Sequence, residues 1–220
     1  QNQATHYGEK KAADPDTNGT PPKEVDLTKD VNSIAPATKS TEGDYIFELA
    51  DNPGPDSGTN TKQVLHWYAR YQDTEPVSDN RDKRYGILTL NQAINIKDER
   101  FLTFEVYVDS KDGDNLSLNN LYLELLDEQK PIPGQKGSLG TSGINGATYG
   151  SVELVTGKWV TVKLDLHKMK ERGGFNNNVK TIRVGDNYSR HIYFRNFTFI
   201  PKAKPLTMSG FTTDQKDIPD

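Results

Sequence analysis

The sequence contains no cysteine, no long apolar run and no basic cluster, and each absence excludes a class of protein. Without cysteine no disulfide can stabilise the fold, and at 220 residues none is needed, since a chain of this length buries roughly 70% of its unfolded surface. No apolar run approaches the roughly 20 residues of a membrane-spanning helix. Lys and Arg number 27 against 31 Asp and Glu, with no basic run, so we expect no nucleic-acid partner.

The motifs of common catalytic and metal sites are also missing. The histidines, which form no H-E-x-x-H zinc motif, are His6, His66, His167 and His191. There is no G-x-S-x-G nucleophile elbow, and the glycine-rich segment 137–150 lacks the G-K-[ST] ending of a phosphate-binding loop. Glu105 and Glu124 face outward, but any antiparallel sheet offers such carboxylate pairs, and we expect solvated faces there. The sequence therefore predicts no catalytic residue, no metal ligand and no cofactor.

What the sequence does contain is a repeated alternation of apolar and polar residues, the pattern of half-buried β-strands. In segment 159–166, Val160, Val162 and Leu164 alternate with Thr161 and Lys163. The same pattern predicts strands over segments 45–49, 64–71, 85–90, 101–108, 120–126, 179–184 and 192–200. Only segment 167–172 favours a short helix. The chain is therefore predicted to be an all-β protein.

Two stretches of this pattern resemble a known fold family. Trp159, the sequence LDL, a short polar helix, the strand VKTIRVG and the aromatic strand IYFRNFTFI, in that order, resemble the C-terminal half of galactose-binding-like jelly rolls. Asn52-Pro53, Gly58, Asn60 and Val64 are similar to the entry to a strand in modules attached to polysaccharide-degrading proteins. Together the two stretches cover residues 45–201. The resemblance implies a jelly-roll β-sandwich that acts as a non-catalytic carbohydrate-binding module of a secreted bacterial polysaccharide-utilisation protein.

The composition divides the chain into three parts. Residues 1–23 are polar, with too few large apolar side chains to form a core, and are predicted to be a flexible tether of the kind left when a lipoprotein loses its anchor. Residues 24–201 are predicted to be one β-sandwich domain, and residues 202–220 a tail or a linker to a neighbouring domain. We expect an extracellular or cell-surface location, and a lipid anchor upstream of residue 1 would fit this arrangement.

Sugar recognition combines aromatic rings that stack on apolar sugar faces with planar polar groups that bind hydroxyls. Three groups of residues offer this mixture: Trp67, Tyr68 and Tyr71 on one strand, Glu105, Tyr107, Tyr122 and Glu124 on two strands expected to be neighbours, and the loop tip Asn187, Tyr188 and Arg190. We predict that they bind a poly- or oligosaccharide. Trp67 would provide the largest stacking surface, although Leu65 and Ala69 on its face equally favour a core position. Trp159 is predicted to lie in the core.

The resemblance also implies something about metal. Many modules of this fold hold a structural calcium through an acidic residue of the first core strand and an aspartate in a YxDNF-like stretch of the last strand. Here that stretch reads YFRNF, with Arg195 where the carboxylate would stand. We therefore predict no calcium at this point, and an ion pair between Arg195 and an acidic residue on a neighbouring strand, for which Glu48 is the candidate.

Two other functions remain open at this point. The first is a structural or protein-interaction sandwich that spaces larger assemblies and binds no sugar. The second is a polysaccharide-acting jelly-roll enzyme. An exposed aromatic strip beside amides and carboxylates would favour sugar binding, uniformly charged flat faces would favour the spacer, and converging groups with strongly shifted pKa values would favour the enzyme.

Overall fold

The alternating segments form strands in the computed structural model, which describes residues 20–56, 63–70, 81–112, 121–127, 138–141, 152, 154–171 and 175–203. The strands, in chain order, are β1 (Lys23–Glu24), β2 (Val31–Pro36), β3 (Tyr45–Ala50), β4 (Val64–Ala69), β5 (Gly86–Asn95), β6 (Glu99–Val108), β7 (Tyr122–Leu126), β8 (Ser138–Gly140), β9 (Trp159–Asp165), β10 (Asn178–Gly185) and β11 (Ile192–Pro201). A short helix, α1 (Leu166–Lys170), follows β9, and short 3-10 turns cover Arg81–Arg84 and Ser110–Asp112. Among these described residues no helix is long and apolar enough to cross a membrane.

The strands form two antiparallel sheets. Sheet A has the order β3-β4-β11-β6-β9, and the short β1 pairs with the far end of β11. Sheet B has the order β2-β5-β10-β7-β8. The inner faces of both sheets contribute to one cluster of buried apolar residues. The predicted all-β jelly-roll sandwich is therefore confirmed.

Strand β6 shows how the sequence sets the two faces of sheet A. Leu102, Phe104 and Val106 are buried in the core, while Thr103 and Glu105 between them are partly exposed. Residues paired across neighbouring strands point to the same side of a sheet. The partners of the buried β6 residues on β11 and β9 therefore also face the core. Outward positions on one strand therefore lie beside outward positions on the next, except at the register shifts of β11 against β6.

Trp67 lies on the inner face of sheet A and is 1% exposed. Its indole Nε1 donates a hydrogen bond of 2.7 Å to the backbone oxygen of Arg84. The neighbours Leu65 and Ala69 are buried on the same face. A stacking platform needs an exposed ring face, so the prediction that Trp67 provides the main sugar-binding surface is wrong, and its core alternative is the correct one.

The expected pairing of β6 with β7 is also wrong. Both edges of β6 are occupied within sheet A, by β11 and β9, whereas β7 lies in sheet B between β10 and β8. Glu105 and Tyr107 therefore lie on one sheet, and Tyr122 and Glu124 on the other. The four residues cannot form one groove floor.

The last residue of the predicted tether, Lys23, is part of a strand. Lys23 belongs to β1, pairs with Phe199, and places its ammonium 3.0 Å from the buried carboxylate of Glu99. Residues 1–19 and 204–220 lie outside the described residues. Two described residues follow β11, Lys202 and residue 203. The backbone N–H of Lys202 donates a hydrogen bond of 2.8 Å to the backbone oxygen of Asp98. The division into tether, domain and tail stays a prediction.

Replacing Trp67 tests its core position. We expect Trp67→Ala to lower the free energy of unfolding by about 3–5 kcal/mol, because it opens a large cavity and leaves the Arg84 carbonyl without its indole donor. Trp67→Phe should cost less, because it keeps most of the apolar ring. Urea unfolding of the three proteins measures the difference. A folded Trp67→Ala protein with an unchanged midpoint would place the ring outside the core.

Candidate functional site

A row of large side chains crosses the outer face of sheet A, away from the core. The pairing registers place Glu48 of β3 beside His66 of β4, His66 beside Tyr193 of β11, Tyr193 beside Tyr107 of β6, and Tyr107 beside Trp159 of β9. The row thus crosses all five strands of the path in sheet A. Four of its five positions carry an aromatic ring.

The rings in the middle of this row contact one another. The rings of His66 and Tyr193 stack at 4.6 Å, and Tyr193 meets Tyr107 edge to face at 6.1 Å. His191, just before β11, stacks on His66 at 4.9 Å and on Tyr68 at 4.5 Å. These centroid distances suit aromatic pairs. We call the contiguous surface formed by Tyr68, His191, His66, Tyr193 and Tyr107 the aromatic floor.

The aromatic floor is open to solvent over most of its length. Tyr68, His66, His191 and Tyr193 are each partly exposed, and Tyr107 is 8% exposed. None of the five belongs to the buried apolar cluster between the sheets. Partly exposed rings on the outer face contribute less to folding than core rings do, and they leave apolar surface available to a ligand.

A loop of residues 52–56 forms a wall along one side of the floor. The Trp159 indole donates to the side-chain oxygen of Asn52 at 3.0 Å. Gly54 approaches the same ring so closely that an added Cβ would lie 2.6 Å from its Nε1 atom. Trp159 is partly exposed on the outer face, so the prediction that it lies in the core is wrong. Its ring anchors the loop to the edge of sheet A instead.

Arg195 binds the same loop to the middle of the sheet. Its Nη2 atom lies 2.9 Å from the Asp56 carboxylate and 3.0 Å from the Glu105 carboxylate, and its guanidinium lies 4.0 Å from the centroid of the Trp159 ring. The predicted pairing of Arg195 with an acidic residue on a neighbouring strand is confirmed, but Glu48 is the wrong partner. Glu48 lies on β3, opposite His66, and β4 separates it from β11, whereas Glu105 lies directly opposite Arg195.

The charges of this cluster reinforce one another. The hydrogen bond from Arg195, followed by that from Asn52, lowers the pKa of Asp56. Burial alone would lower the pKa of Arg195, but its bonds to Glu105 and Asp56 outweigh burial and raise it. Asn196, at a bulge with φ of 60°, donates to the second oxygen of Glu105. Within the described residues no three His, Cys, Asp or Glu side chains come together in a way that could hold a metal ion.

Two imidazoles meet within the floor. His66 Nε2 lies 2.7 Å from His191 Nδ1, so one ring donates the shared proton and the other accepts it. Burial, then the nearby His191, lowers the pKa of His66 from 6.5 to about 4, against an opposing effect of Asp109. His66 is therefore neutral at physiological pH.

The other predicted site residues lie away from the floor or outside the described residues. Tyr71 falls outside them. On sheet B, Glu124 accepts hydrogen bonds from Tyr85 at 2.6 Å and from Arg183 at 2.5 Å, and Tyr122 is buried beside Tyr85. The loop tip is not the exposed group of aromatic and polar side chains that was expected. Arg190 is buried and pairs with the buried Asp186, and the backbone oxygen of Tyr188 accepts a hydrogen bond of 3.0 Å from Arg84.

Of the predicted ligand residues, Tyr68 and Tyr107 belong to the floor and Glu105 lies beside it. His66, His191 and Tyr193 were missed. The alternation in β4 already placed His66 and Tyr68 on the face opposite Trp67, and that in β11 placed Tyr193 with Arg195. The alternation pattern of these two strands could have identified the three residues, because it marks the outward positions. The size of the ring favours Trp67 instead.

Two clefts near β1 offer different chemistry. One of about 380 Å³ is lined by residues 24–28, Gln63 and Asn196, and one of about 480 Å³ by Lys23, Glu24, Lys29, Asp30 and residues 90–94. Their linings are mainly polar and contain no aromatic ring. They lack the stacking surface that the aromatic floor provides.

Several solved structures are similar to this chain. A family 30 carbohydrate-binding module shares 14% identity and a TM-score of 0.45, with 81% of this chain and 86% of the module covered. A family 11 carbohydrate-binding module of a Clostridium thermocellum cellulosomal cellulase shares 11% identity, a TM-score of 0.44 and coverage of 86% and 99%. A low-affinity xylan-binding module from Roseburia intestinalis shares 13% identity, a TM-score of 0.39 and coverage of 78% and 94%. No protein-family model and no curated protein matches the chain.

Replacing Arg195 tests whether its ion pairs hold the loop. We expect Arg195→Ala to lower the free energy of unfolding by about 1–2 kcal/mol, because two carboxylates lose a charged hydrogen-bond donor at a site that is only partly screened by water. Arg195→Lys should recover only part of this, since an ammonium cannot match the planar fork. Urea unfolding at constant salt gives both values.

Arg70→Ala is the matched control, because the Arg70 side chain is 59% exposed and lies 3.7 Å from Asp44. We expect a loss below about 0.5 kcal/mol there. Addition of calcium should leave the melting temperature of the wild type unchanged. A rise of several degrees with calcium, together with an unchanged Arg195→Ala midpoint, would contradict the role of Arg195.

The imidazole pair makes stability depend on pH. Between pH 6.5 and about 4 the unfolded chain binds a proton at His66 while the folded chain does not, so stability falls as the pH falls through this window. We expect a contribution of about 1–2 kcal/mol, below the full linkage value because His66 is partly exposed to water. The measurement is urea unfolding at a series of pH values. His66→Gln should remove this component, and a variant that kept the wild-type pH dependence would contradict the assignment.

Proposed function

We propose that this chain is a non-catalytic carbohydrate-binding module whose ligand lies on the aromatic floor of sheet A. The observation that carries the proposal is the run of five contacting, mostly part-exposed rings on the outer face of β4, β11 and β6 and the residue before β11. Sugar rings present apolar C–H faces and a rim of hydroxyls. A surface that combines aromatic carbon with polar ring atoms matches both.

The rigidity of the floor supports this function. Its side chains stand on paired strands and are restrained by their ring contacts, so little freedom is lost when a ligand binds. The wall of residues 52–56 is fixed by Trp159 and Arg195. A preformed surface is typical of small-ligand sites.

The state of the titratable groups supports binding rather than catalysis. His66 and His191 bond each other, and both oxygens of Glu105 accept hydrogen bonds, from Arg195 and Asn196. A general acid or base must reach the proton that it transfers, and these groups are already engaged. An extracellular or cell-surface location belongs to the same proposal, because polysaccharides too large to enter a cell are met outside it.

Substitutions on the floor test the proposal. We expect Tyr193→Ala and Tyr68→Ala each to weaken binding to a polysaccharide ligand by roughly tenfold, through loss of aromatic contact. A glycan array on the whole chain identifies the ligand, and titration calorimetry with the soluble glycan measures the affinity. Unfolding curves of each variant establish that it is folded.

Phe101→Ala is the matched control. Phe101 faces outward on β6, as Tyr107 does, and is partly exposed, but lies six residues and about 20 Å further along the strand. It should bind as the wild type does. Failure of the folded wild type to bind any glycan would overturn the proposal and favour the protein-interaction or spacer function. Full binding by a folded Tyr68, Tyr193 double variant would place the site elsewhere.

A further inference from the structure

We propose that the aromatic floor selects uncharged glycans and rejects polyuronates, and that Glu48 is the principal selecting residue. This inference rests on the proposed function and names the chemical class of its ligand. It is argued from the charged side chains around the floor and from the ion pairs that do or do not neutralise them.

Glu48 is the carboxylate closest in register to the centre of the floor. It lies directly opposite His66 on the outer face and is exposed. Within the described part of the chain it forms no ion pair and no hydrogen bond. Among the described residues no cation neutralises Glu48, so its charge adds to those beside the neighbouring rings.

The remaining charges beside the floor do not compensate for Glu48. Arg195 is the cation next to Tyr193, and it is shared by two carboxylates, those of Glu105 and Asp56. At the other side, Asp109 follows β6, and its negative charge opposes the lowering of the His66 pKa. Lys111, 3.9 Å away and 86% exposed, forms only a weak pair with it. Asp44 and Arg70 beyond Tyr68 form a similar exposed pair at 3.7 Å.

His66, at the centre of the floor, supplies no positive charge, because burial lowers its pKa to about 4. Lys163 is another cation of the outer face, but its ammonium lies 4.0 Å over the ring of Phe101, at the far end of β6. An excess of negative charge therefore surrounds the floor, from Glu48 and from the cluster of Arg195.

An uncharged glycan and a polyuronate meet this field differently. A carboxylate accepts hydrogen bonds from sugar hydroxyls, so Glu48 can bind a neutral sugar at the edge of the floor. A sugar carboxylate at about 7 Å from it is repelled, which weakens binding about threefold per pair of charges in low salt. Because a polyuronate carries a charge on each unit, the effect multiplies along the chain. Salt at about 0.5 M would screen it almost fully at this distance.

The test uses the whole chain against immobilised polysaccharides: a panel of uncharged glucans, xylans, mannans and galactans, and polygalacturonate. We expect at least one uncharged polysaccharide to bind about tenfold or more tightly than polygalacturonate in low salt. Raising the salt to about 0.5 M should strengthen the binding of polygalacturonate and leave the uncharged ligand unaffected. Glu48→Gln should reduce the discrimination about threefold, and Glu48→Lys should reduce it further.

Glu171→Lys is the control for charge alone, because the Glu171 side chain is 68% exposed and follows α1. It makes the same change in net charge as Glu48→Lys, and it should leave the discrimination unchanged. Equal effects of the two lysine variants would assign the selection to net charge and overturn the role of Glu48. Tighter binding of polygalacturonate than of any uncharged glycan, lost in Tyr193→Ala, would overturn the selection while supporting the proposed function. Binding of neither class would overturn both.

Discussion

The outer face of sheet A depends on one guanidinium. Arg195 bonds Glu105 on the adjacent strand, Asp56 in the crossing loop and the face of the Trp159 ring on the edge strand. It therefore connects the centre of the sheet, its edge and the loop that lies over both. Without this cation, two carboxylates would face each other beside an indole ring, and the loop would have no charge to hold it.

In this arrangement a side chain gathers two carboxylates, as a metal ion can. A bound calcium gathers several oxygen ligands and loses them when the ion dissociates. An arginine gathers fewer oxygens, but it is part of the chain and cannot be removed by a chelator. The contacts of Arg195 with Glu105 and Asp56 therefore form without a bound metal ion.

The sequence predicted the strands and their faces well, because both are local properties. Alternation in β9 places Val160, Val162 and Leu164 inward, and by the same logic it should have placed Trp159 outward. The size and apolar character of tryptophan favour a core position, but here the alternation decides, and the ring lies on the outer face. Trp67 and His66 show the same point, since adjacent residues of one strand lie in the core and in the floor.

Contacts between distant segments could not be predicted from local pattern. Arg195 and Asp56 are 139 residues apart, and His66 and His191 are 125 apart. The sequence indicates that Arg195 needs an acidic partner, but only the strand order, which places β4 between β3 and β11, and the register of β11 against β6 select Glu105 over Glu48. Likewise, nothing in the short spacing between β6 and β7 shows that the chain changes sheets there.

The position of β11 in sheet A has a consequence for how the protein is made. The last strand of the described chain, β11, is central in sheet A, with β4 and β1 on one side and β6 on the other. Residues synthesised early must therefore wait for residues 192–201 to leave the ribosome before the sheet can close. Such non-local pairing makes folding slow and leaves strand edges unpaired in the meantime.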